Sequence, residues 1–161
     1  GSGCLACSLL QEFPHAKVIA IDKCPKALKI AKRNAQSLNL SIDFINSDWT
    51  NAIKGKFDLI VCNPPYISTD EYLSLGKNIL KYEPRSALIP CNVKTCNGYE
   101  SYHCLANCLE ECLAKGGLAL FEVGLNMASK VEAIFGRNSN FCVKSHKDIN
   151  GIDRVVSVIN M

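Results

Sequence analysis

The sequence feature that most constrains the fold is a short apolar run that stops at two consecutive prolines. The run is FDLIVC at residues 57–62, and the sequence NPPY follows it directly at residues 63–66. Its bulky and β-branched residues predict a strand that is buried on both faces of a sheet. Proline lacks an amide hydrogen and has a fixed φ, so the two prolines end the strand in a stiff, extended loop. Open α/β sheets bind their ligands at the carboxyl ends of such strands.

Helical and strand patterns alternate along the chain. Helical spacing of apolar residues predicts helices over 4–13, 25–39, 98–114 and 127–135, a short helix around 70–80, and an end at Gly116-Gly117 for the helix that starts at 98. Apolar runs predict strands over 17–21, 42–46, 57–62, 118–123, 141–145 and 152–159. This order predicts an α/β fold with a doubly wound, mostly parallel sheet. The last two strands lack an intervening helix, which predicts an antiparallel hairpin at the carboxyl end.

Composition excludes several classes of protein. The 161 residues are 48% hydrophobic, which suits a single globular domain spanning 1–161. The net charge is +3, with 18 basic residues interleaved with 15 acidic ones, so charge alone does not demand a nucleic-acid partner. No apolar run is long enough to span a bilayer. Most of the ten cysteines lie within apolar patterns, so we expect reduced thiols in a cytoplasmic protein without a metal site.

A glycine-rich turn at the start of the chain pairs with an acidic residue about twenty positions later. Gly1-Ser2-Gly3 exposes backbone amides and leaves room for a ligand, while Asp22 follows the next predicted strand. A carboxylate there can accept hydrogen bonds from both hydroxyls of a ribose. The spacing favours an adenosine-containing ligand. The alternative for Asp22 is a helix cap ahead of Pro25.

Asp48 and Trp49 follow the next predicted strand. A carboxylate acceptor, a backbone amide and an indole face can together contact an adenine ring. The alternative for Trp49 is packing in the core.

The NPPY loop distinguishes between two classes of enzyme that bind adenosine-containing cofactors. The reaction of a dehydrogenase does not require such a loop. A methyltransferase acting on a planar NH₂ group needs two acceptors aimed at that group. The side-chain carbonyl of Asn63 and the backbone carbonyl of Pro64 can be those acceptors, Pro65 stiffens the loop, and Tyr66 can lie against the flat substrate. The alternative is a proline-rich turn without a catalytic role.

Together these motifs resemble those of a known family, the HemK/PrmC peptide chain release factor glutamine methyltransferases. The resemblance rests on Gly-Ser-Gly, Asp22, Ser47-Asp48-Trp49, Asn-Pro-Pro-Tyr-Ile and Tyr-Glu-Pro-Arg-Ser-Ala-Leu, in this order. It implies a class I, S-adenosylmethionine-dependent fold and methylation of the glutamine in the Gly-Gly-Gln motif of release factors. By the same resemblance Gly1 and Gly3 border the methionine part of the cofactor, Asp22 its ribose, and Asp48 and Trp49 its adenine. Residues 63–66 would then bind the glutamine, Asn63 would also border the cofactor, and Glu83 would lie near the active site.

The resemblance also implies segments that the chain lacks. Family members carry a strand ahead of the glycine turn and a helical substrate-docking domain before it, so we expect a catalytic fragment of low stability. Three other functions stay open: methylation of an adenine or guanine amine in nucleic acid, methylation of a ribosomal-protein glutamine, and an inactive fragment. Against nucleic acid stand the low net charge and the lack of a basic stripe with interleaved aromatic residues. We expect a monomer with no membrane partner.

Overall fold

The computed structural model describes residues 1–90 and 95–161. The chain forms two compact units, Gly1–Lys54 and Gly55–Met161, and each is described by itself. The single catalytic domain expected from the sequence stays a prediction.

The first unit is a small α/β unit with two parallel strands. Its elements are α1 (Cys4–Glu12), β1 (Ile19–Asp22), α2 (Pro25–Ser37) and β2 (Asp43–Asn46). Strands β1 and β2 pair in parallel, with Asp22 opposite Asn46 at the carboxyl end. Pro25 stands in the first turn of α2, where its missing amide hydrogen costs nothing. Leu28, Ala31 and Ala35 are buried along one face of α2, as its apolar spacing predicts.

The second unit combines a four-stranded sheet with several helices. Its elements are β3 (Phe57–Cys62), α3 (Thr69–Ser74), α4 (Lys77–Tyr82), α5 (Arg85–Leu88), α6 (Glu100–Cys112), β4 (Leu113–Glu122), α7 (Ala128–Phe135), β5 (Phe141–Lys147) and β6 (Asp153–Asn160). The strand order is β3-β4-β6-β5. Strands β3 and β4 are parallel, whereas β6 is antiparallel to both β4 and β5. The predicted carboxyl-terminal antiparallel hairpin is therefore confirmed.

The core of the second unit lies between the sheet and the helices α6 and α7. The rings of Phe121 and Phe135 stack with their centroids 4.6 Å apart. Tyr102, Val156 and Val158 are fully buried beside them. Truncating a buried aromatic side chain to alanine typically costs about 3–5 kcal/mol, so the Phe121–Phe135 pair holds α7 firmly on the sheet. The hydroxyl of Tyr102 donates to the carbonyl of Glu122, which joins α6 to β4. Both of these elements contact the loop that follows β3.

Two local predictions are wrong. The predicted strand 57–62 exists, but Leu59 is 37% exposed, because β3 is an edge of its sheet and pairs with β4 alone among the described strands. The helix α6 ends at Cys112 rather than at the Gly116-Gly117 pair, and residues 113–122 are strand, with an irregular register opposite β3.

The predicted helix around 70–80 is two separate helices, α3 and α4. Residues Leu75 and Gly76 between them adopt extended backbone conformations, which interrupts the helical hydrogen bonds. Ser68 and Glu71 form a capping box that fixes the start of α3.

Within the described ranges 1–90 and 95–161, no helix combines the length and apolar character needed to cross a membrane. The same ranges hold no group of three or more His, Cys, Asp or Glu side chains placed to bind a metal ion. Cys7 and Cys112 are buried thiols, as their apolar patterns predict. Cys96 is disulfide-bonded, so the expectation of reduced cysteines fails at that position.

Candidate active site

The glycine turn and Asp22 lie next to each other in the first unit. The amino group of Gly1 contacts the Oδ2 atom of Asp22. The other carboxylate oxygen, Oδ1, accepts a hydrogen bond from the amide of Cys24 at 2.7 Å. One oxygen of Asp22 is therefore oriented by the start of α2, while the other faces the glycine turn.

Gly3 begins α1 with a left-handed backbone, at φ 80°. A Cβ atom at this position would lie 2.8 Å from the Cβ of Ala31 on α2. Real Cβ atoms do not approach so closely, so glycine is required for α1 to pack against α2. The turn is thus fixed by the fold as well as open to a ligand.

Asp48 and Trp49 stand at the end of β2, in the turn that follows it. The amide of Ser47 donates to the carbonyl of Asp22 at 3.3 Å, so the ends of β1 and β2 meet. Asp48 is exposed, and Trp49 is only partly buried and has φ 52°. A tryptophan with this backbone and exposure is not a core residue, which favours the prediction that it contacts a ligand.

The NPPY loop lies in the second unit, directly after β3. Asn63 is exposed, Pro64 is buried, and Pro65 and Tyr66 are partly buried. Among the described residues, nothing donates a hydrogen bond to the side chain of Asn63 or to the carbonyl of Pro64. The carbonyl of Pro65, in contrast, accepts a hydrogen bond from the hydroxyl of Ser101 at 2.7 Å. Both atoms that the sequence predicts as acceptors therefore receive no hydrogen bond from the described residues.

The phenol of Tyr66 is held by the end of β4. Its hydroxyl donates to Oε1 of Glu122 at 3.2 Å. Burial, together with the negative charge of Glu122, raises the pKa of the Tyr66 phenol above its ordinary value. Tyr66 therefore stays neutral throughout the physiological range and presents a fixed aromatic ring.

Glu83 is exposed at the carboxyl end of α4. The segment that follows it returns to the loop, since the amide of Ile67 donates to the carbonyl of Leu88 at 2.9 Å. The structure therefore brings the end of this segment, rather than the side chain of Glu83, against the residue that follows Tyr66. A substrate contact for Glu83 stays a prediction.

The comparison with protein-family models matches residues 1–86 to the methyltransferase small domain. This match covers more than half of the chain and includes the glycine turn, Asp22, Asp48, Trp49 and the whole NPPY loop. The chain belongs to this methyltransferase family.

Two curated relatives extend the similarity to nearly all of the chain. The release factor glutamine methyltransferase of Geobacter sulfurreducens is 35% identical over 97% of this chain and 54% of its own length. The bifunctional methyltransferase of Rickettsia prowazekii is 37% identical over 98% of this chain and 30% of its own length. The chain thus spans about half, or less, of the relatives that it matches.

Comparison with solved structures confirms the class I methyltransferase fold that the sequence predicts. A methyltransferase from Pyrococcus furiosus superposes with a TM-score of 0.69, over 98% of this chain and 69% of that one. The two chains are only 17% identical, so this similarity concerns the fold.

Two glycines, Gly98 and Gly124, pack against the NPPY loop, and the sequence did not predict this. A Cβ atom at Gly98 would lie 2.4 Å from the carbonyl oxygen of Tyr66, and one at Gly124 would lie 3.0 Å from the Tyr66 ring. Gly98 also has φ 88°, which non-glycine residues rarely adopt. In a sequence, a glycine just before a helix or just after a strand looks like an ordinary boundary. Only the fold shows which atoms lie next to it.

The basic residues of the methyltransferase are also distributed unevenly. The first unit has seven Lys and Arg against four Asp and Glu, and thus carries the excess positive charge of the chain. Four of these cations line one face of α2, namely Lys26, Lys29, Lys32 and Arg33. The α2 face is a basic stripe without interleaved aromatic residues, because α2 carries none.

Cys24 offers a test of the local geometry beside Asp22. The backbone amides of Ala27 and Lys26 at the start of α2 would hydrogen-bond to the Cys24 thiolate, which lowers the pKa of the thiol. We expect the midpoint of its pH–alkylation profile to fall below the ordinary thiol value of about 8.5. Iodoacetamide labelling followed by peptide mass spectrometry measures this midpoint.

Two other thiols of the same protein serve as controls. Cys142 is exposed on β5, away from any helix start. Burial raises the pKa of Cys62 to about 12, so that thiol should resist labelling at neutral pH. Equal midpoints for Cys24 and Cys142 would contradict the proposed hydrogen bonds to the sulfur.

Proposed function

We propose that this chain is the catalytic part of an enzyme that methylates a glutamine side-chain amide in a peptide chain release factor. The observation that carries the proposal is the acceptor pair of Asn63 and Pro64, to which no described residue donates a hydrogen bond, beside a Pro65 carbonyl and a Tyr66 hydroxyl that are both bonded. The Geobacter relative, whose name gives this activity, supports the identity of the substrate.

The acceptor pair suits the chemistry of an amide. An amide nitrogen is a poor nucleophile because its lone pair is delocalised into the carbonyl group. Two acceptors that hold both of its hydrogens orient the nitrogen and favour the positive charge that develops on it during transfer. Preorganised hydrogen bonds of this kind contribute about 3 kcal/mol each to transition-state stabilisation. The ring of Tyr66 would keep the flat amide in the plane of the acceptors.

S-Adenosylmethionine, when bound, would supply an electrophilic methyl group on a sulfonium. The first unit fits such a ligand. Ribose hydroxyls donate hydrogen bonds, and Asp22 holds one carboxylate oxygen, an acceptor, toward the glycine turn. Gly1 and Gly3 would border the methionine part, Asp22 would bind the ribose, and Asp48 and Trp49 would bind the adenine. Asn63 would border the methyl group that it helps to direct.

Replacement of Asp22 by alanine tests the cofactor site. Loss of hydrogen bonds to a charged group costs about 1.5–3 kcal/mol, so we expect the Kd for S-adenosylhomocysteine to rise about 10- to 100-fold. Isothermal titration calorimetry measures the change. Asp43→Ala is the matched control, because Asp43 is an exposed carboxylate at the opposite end of β2. Equal affinities of the two variants would contradict the role of Asp22.

Methyl transfer from tritiated S-adenosylmethionine tests the proposed reaction. The full-length protein that carries this chain is incubated with a release factor containing Gly-Gly-Gln, and with the same factor carrying asparagine in place of the glutamine. We expect label only in the first factor, on the glutamine side chain. Label in both factors, or in neither, would overturn the proposed substrate.

A nucleic-acid substrate is the second candidate, and the basic face of α2 favours it. The cations of this face, which are Lys26, Lys29, Lys32 and Arg33, could contact phosphates, and a planar exocyclic amine would suit the acceptor pair equally well. The same assay therefore includes RNA and DNA. Label in nucleic acid but not in the release factor would establish this second function.

A further inference from the structure

The two prolines of the NPPY loop remove two backbone hydrogen-bond donors from it. Neither Pro64 nor Pro65 has an amide hydrogen, so this part of the loop cannot donate to a neighbouring strand. Its peptide groups can only accept hydrogen bonds. A loop of this kind keeps a defined shape only if donors from other elements hold its carbonyls.

Ser101 supplies such a donor. Its hydroxyl donates to the carbonyl of Pro65 at 2.7 Å, and the residue is only 1% exposed. It lies in the first turn of α6, whose position is fixed by the next residue, Tyr102. The hydroxyl of Tyr102 donates to the carbonyl of Glu122 at 2.8 Å, and Tyr102 is completely buried.

This hydrogen bond restrains one of the backbone torsions that the prolines leave free, namely ψ of Pro65. The proline rings fix φ at both positions, so the angle between the Pro64 carbonyl and the Tyr66 ring depends on ψ of Pro65 together with φ and the side-chain torsions of Tyr66. Rotation about that torsion turns the carbonyl of Pro65. A donor that holds this carbonyl therefore also holds the Tyr66 ring in place relative to the open carbonyl of Pro64.

The Tyr66 side of the loop is held independently. Its hydroxyl is bonded to Glu122, and its carbonyl lies against Gly98. With both ends of Tyr66 restrained, loss of the Ser101 bond would shift the loop at Pro65 rather than unfold it.

From this arrangement we infer that Ser101 is a positioning residue for the methyl acceptor site. It acts through the carbonyl of Pro65 and sets the geometry between the acceptor carbonyl of Pro64 and the ring of Tyr66. The expected effect of Ser101 on kcat rests on the proposed function. Its effect on the conformation of the NPPY loop does not.

Ser101→Ala tests the role, and Ser157→Ala is a matched control. Ser157 is 8% exposed and donates to the carbonyl of Lys144 at 3.1 Å, in the β5–β6 hairpin, where its hydroxyl also lies 2.8 Å from Nε2 of His146. Both variants thus lose a buried serine hydroxyl bonded to a backbone carbonyl. A misplacement of about 1 Å can cost about 100-fold in rate, so we expect Ser101→Ala to lower kcat about 10- to 100-fold. We expect KM for S-adenosylmethionine to stay within about twofold, and Ser157→Ala to keep kcat within about twofold.

Hydrogen exchange gives a second readout that does not depend on activity. We expect Ser101→Ala to speed amide exchange in a peptide spanning residues 62–72, and Ser157→Ala to leave this peptide unchanged. A kcat of Ser101→Ala within twofold of the wild type, or exchange in the loop no faster than in Ser157→Ala, would overturn the inference.

An Asn63→Ala variant separates this inference from the proposed function. If Asn63→Ala is inactive while Ser101→Ala retains its kcat, the positioning role alone is wrong. If the wild-type protein methylates neither a release factor nor nucleic acid, the proposed function is wrong, and exchange in the loop still decides the role of Ser101.

Discussion

Replacing Asn63 by alanine is expected to lower kcat for methyl transfer about 100-fold or more. The variant removes one of the two open acceptors, and loss of a single preorganised hydrogen bond at a developing charge typically costs 10²- to 10³-fold, or about 3–4 kcal/mol. The side chain of Asn63 is exposed and receives no hydrogen bond from the described residues, so its removal should leave the fold intact. Steady-state kinetics with tritiated S-adenosylmethionine measures the loss.

Asn150→Ala is the matched control for this variant. Asn150 is an exposed asparagine in the β5–β6 turn, where its backbone amide donates to Asp148. We expect it to retain wild-type kcat. An Asn63→Ala enzyme that is as active as the Asn150→Ala enzyme would show that the amide of Asn63 does not contact the reacting group.

Among glycine-to-alanine substitutions next to the NPPY loop, Gly98→Ala is expected to lower the free energy of unfolding the most. The new Cβ would lie 2.4 Å from the carbonyl oxygen of Tyr66, and the backbone of Gly98 has φ 88°. The neighbouring atom belongs to the backbone and cannot move aside as a flexible side chain could. We expect the free energy of unfolding to fall by about 3 kcal/mol, and kcat to fall with it as Tyr66 is displaced. Urea denaturation measures the first quantity.

Gly151→Ala separates the two causes of this loss. Gly151 has a similar φ of 77°, but nothing lies within 4 Å of the position that its Cβ would occupy. This control variant carries only the cost of the left-handed backbone, about 1–2 kcal/mol. The difference between the two variants is the cost of the clash with Tyr66. Equal losses in the two variants would mean that Gly98 does not support the loop.

Much of the local structure was predictable because it depends on short-range patterns. The strand over 57–62 and the start of α2 at Pro25 match the structure to the residue. Prolines and apolar periodicity act through the backbone of a few neighbouring residues, so no knowledge of the rest of the fold is needed. The Asn63 and Pro64 acceptors were predicted in the same way, since their residue types and their place at a strand end are apparent from neighbouring residues alone.

The extent of α6 and β4 could not be predicted in this way. Gly116 and Gly117 resemble a helix end, yet the helix stops at Cys112 and Leu113 already pairs with Phe57 on β3. Leu113 is completely buried in that pairing. Burial of an apolar side chain by long-range strand pairing overrides the local preference of glycine to end a helix.

The sequence by itself determined the methyltransferase family, the order of helices and strands, and which residues can accept hydrogen bonds from a planar NH₂ group. These features depend on residue type and on spacing along the chain. Only the tertiary structure decided what holds that loop in place: the hydroxyl of Ser101, the absent side chain of Gly98 and the carboxylate of Glu122. These residues lie 35 to 59 positions after Asn63, and a chain pattern does not show which distant side chain meets a given carbonyl. The reason is physical, because proline removes local donors and leaves the loop to be held by contacts that exist only after folding.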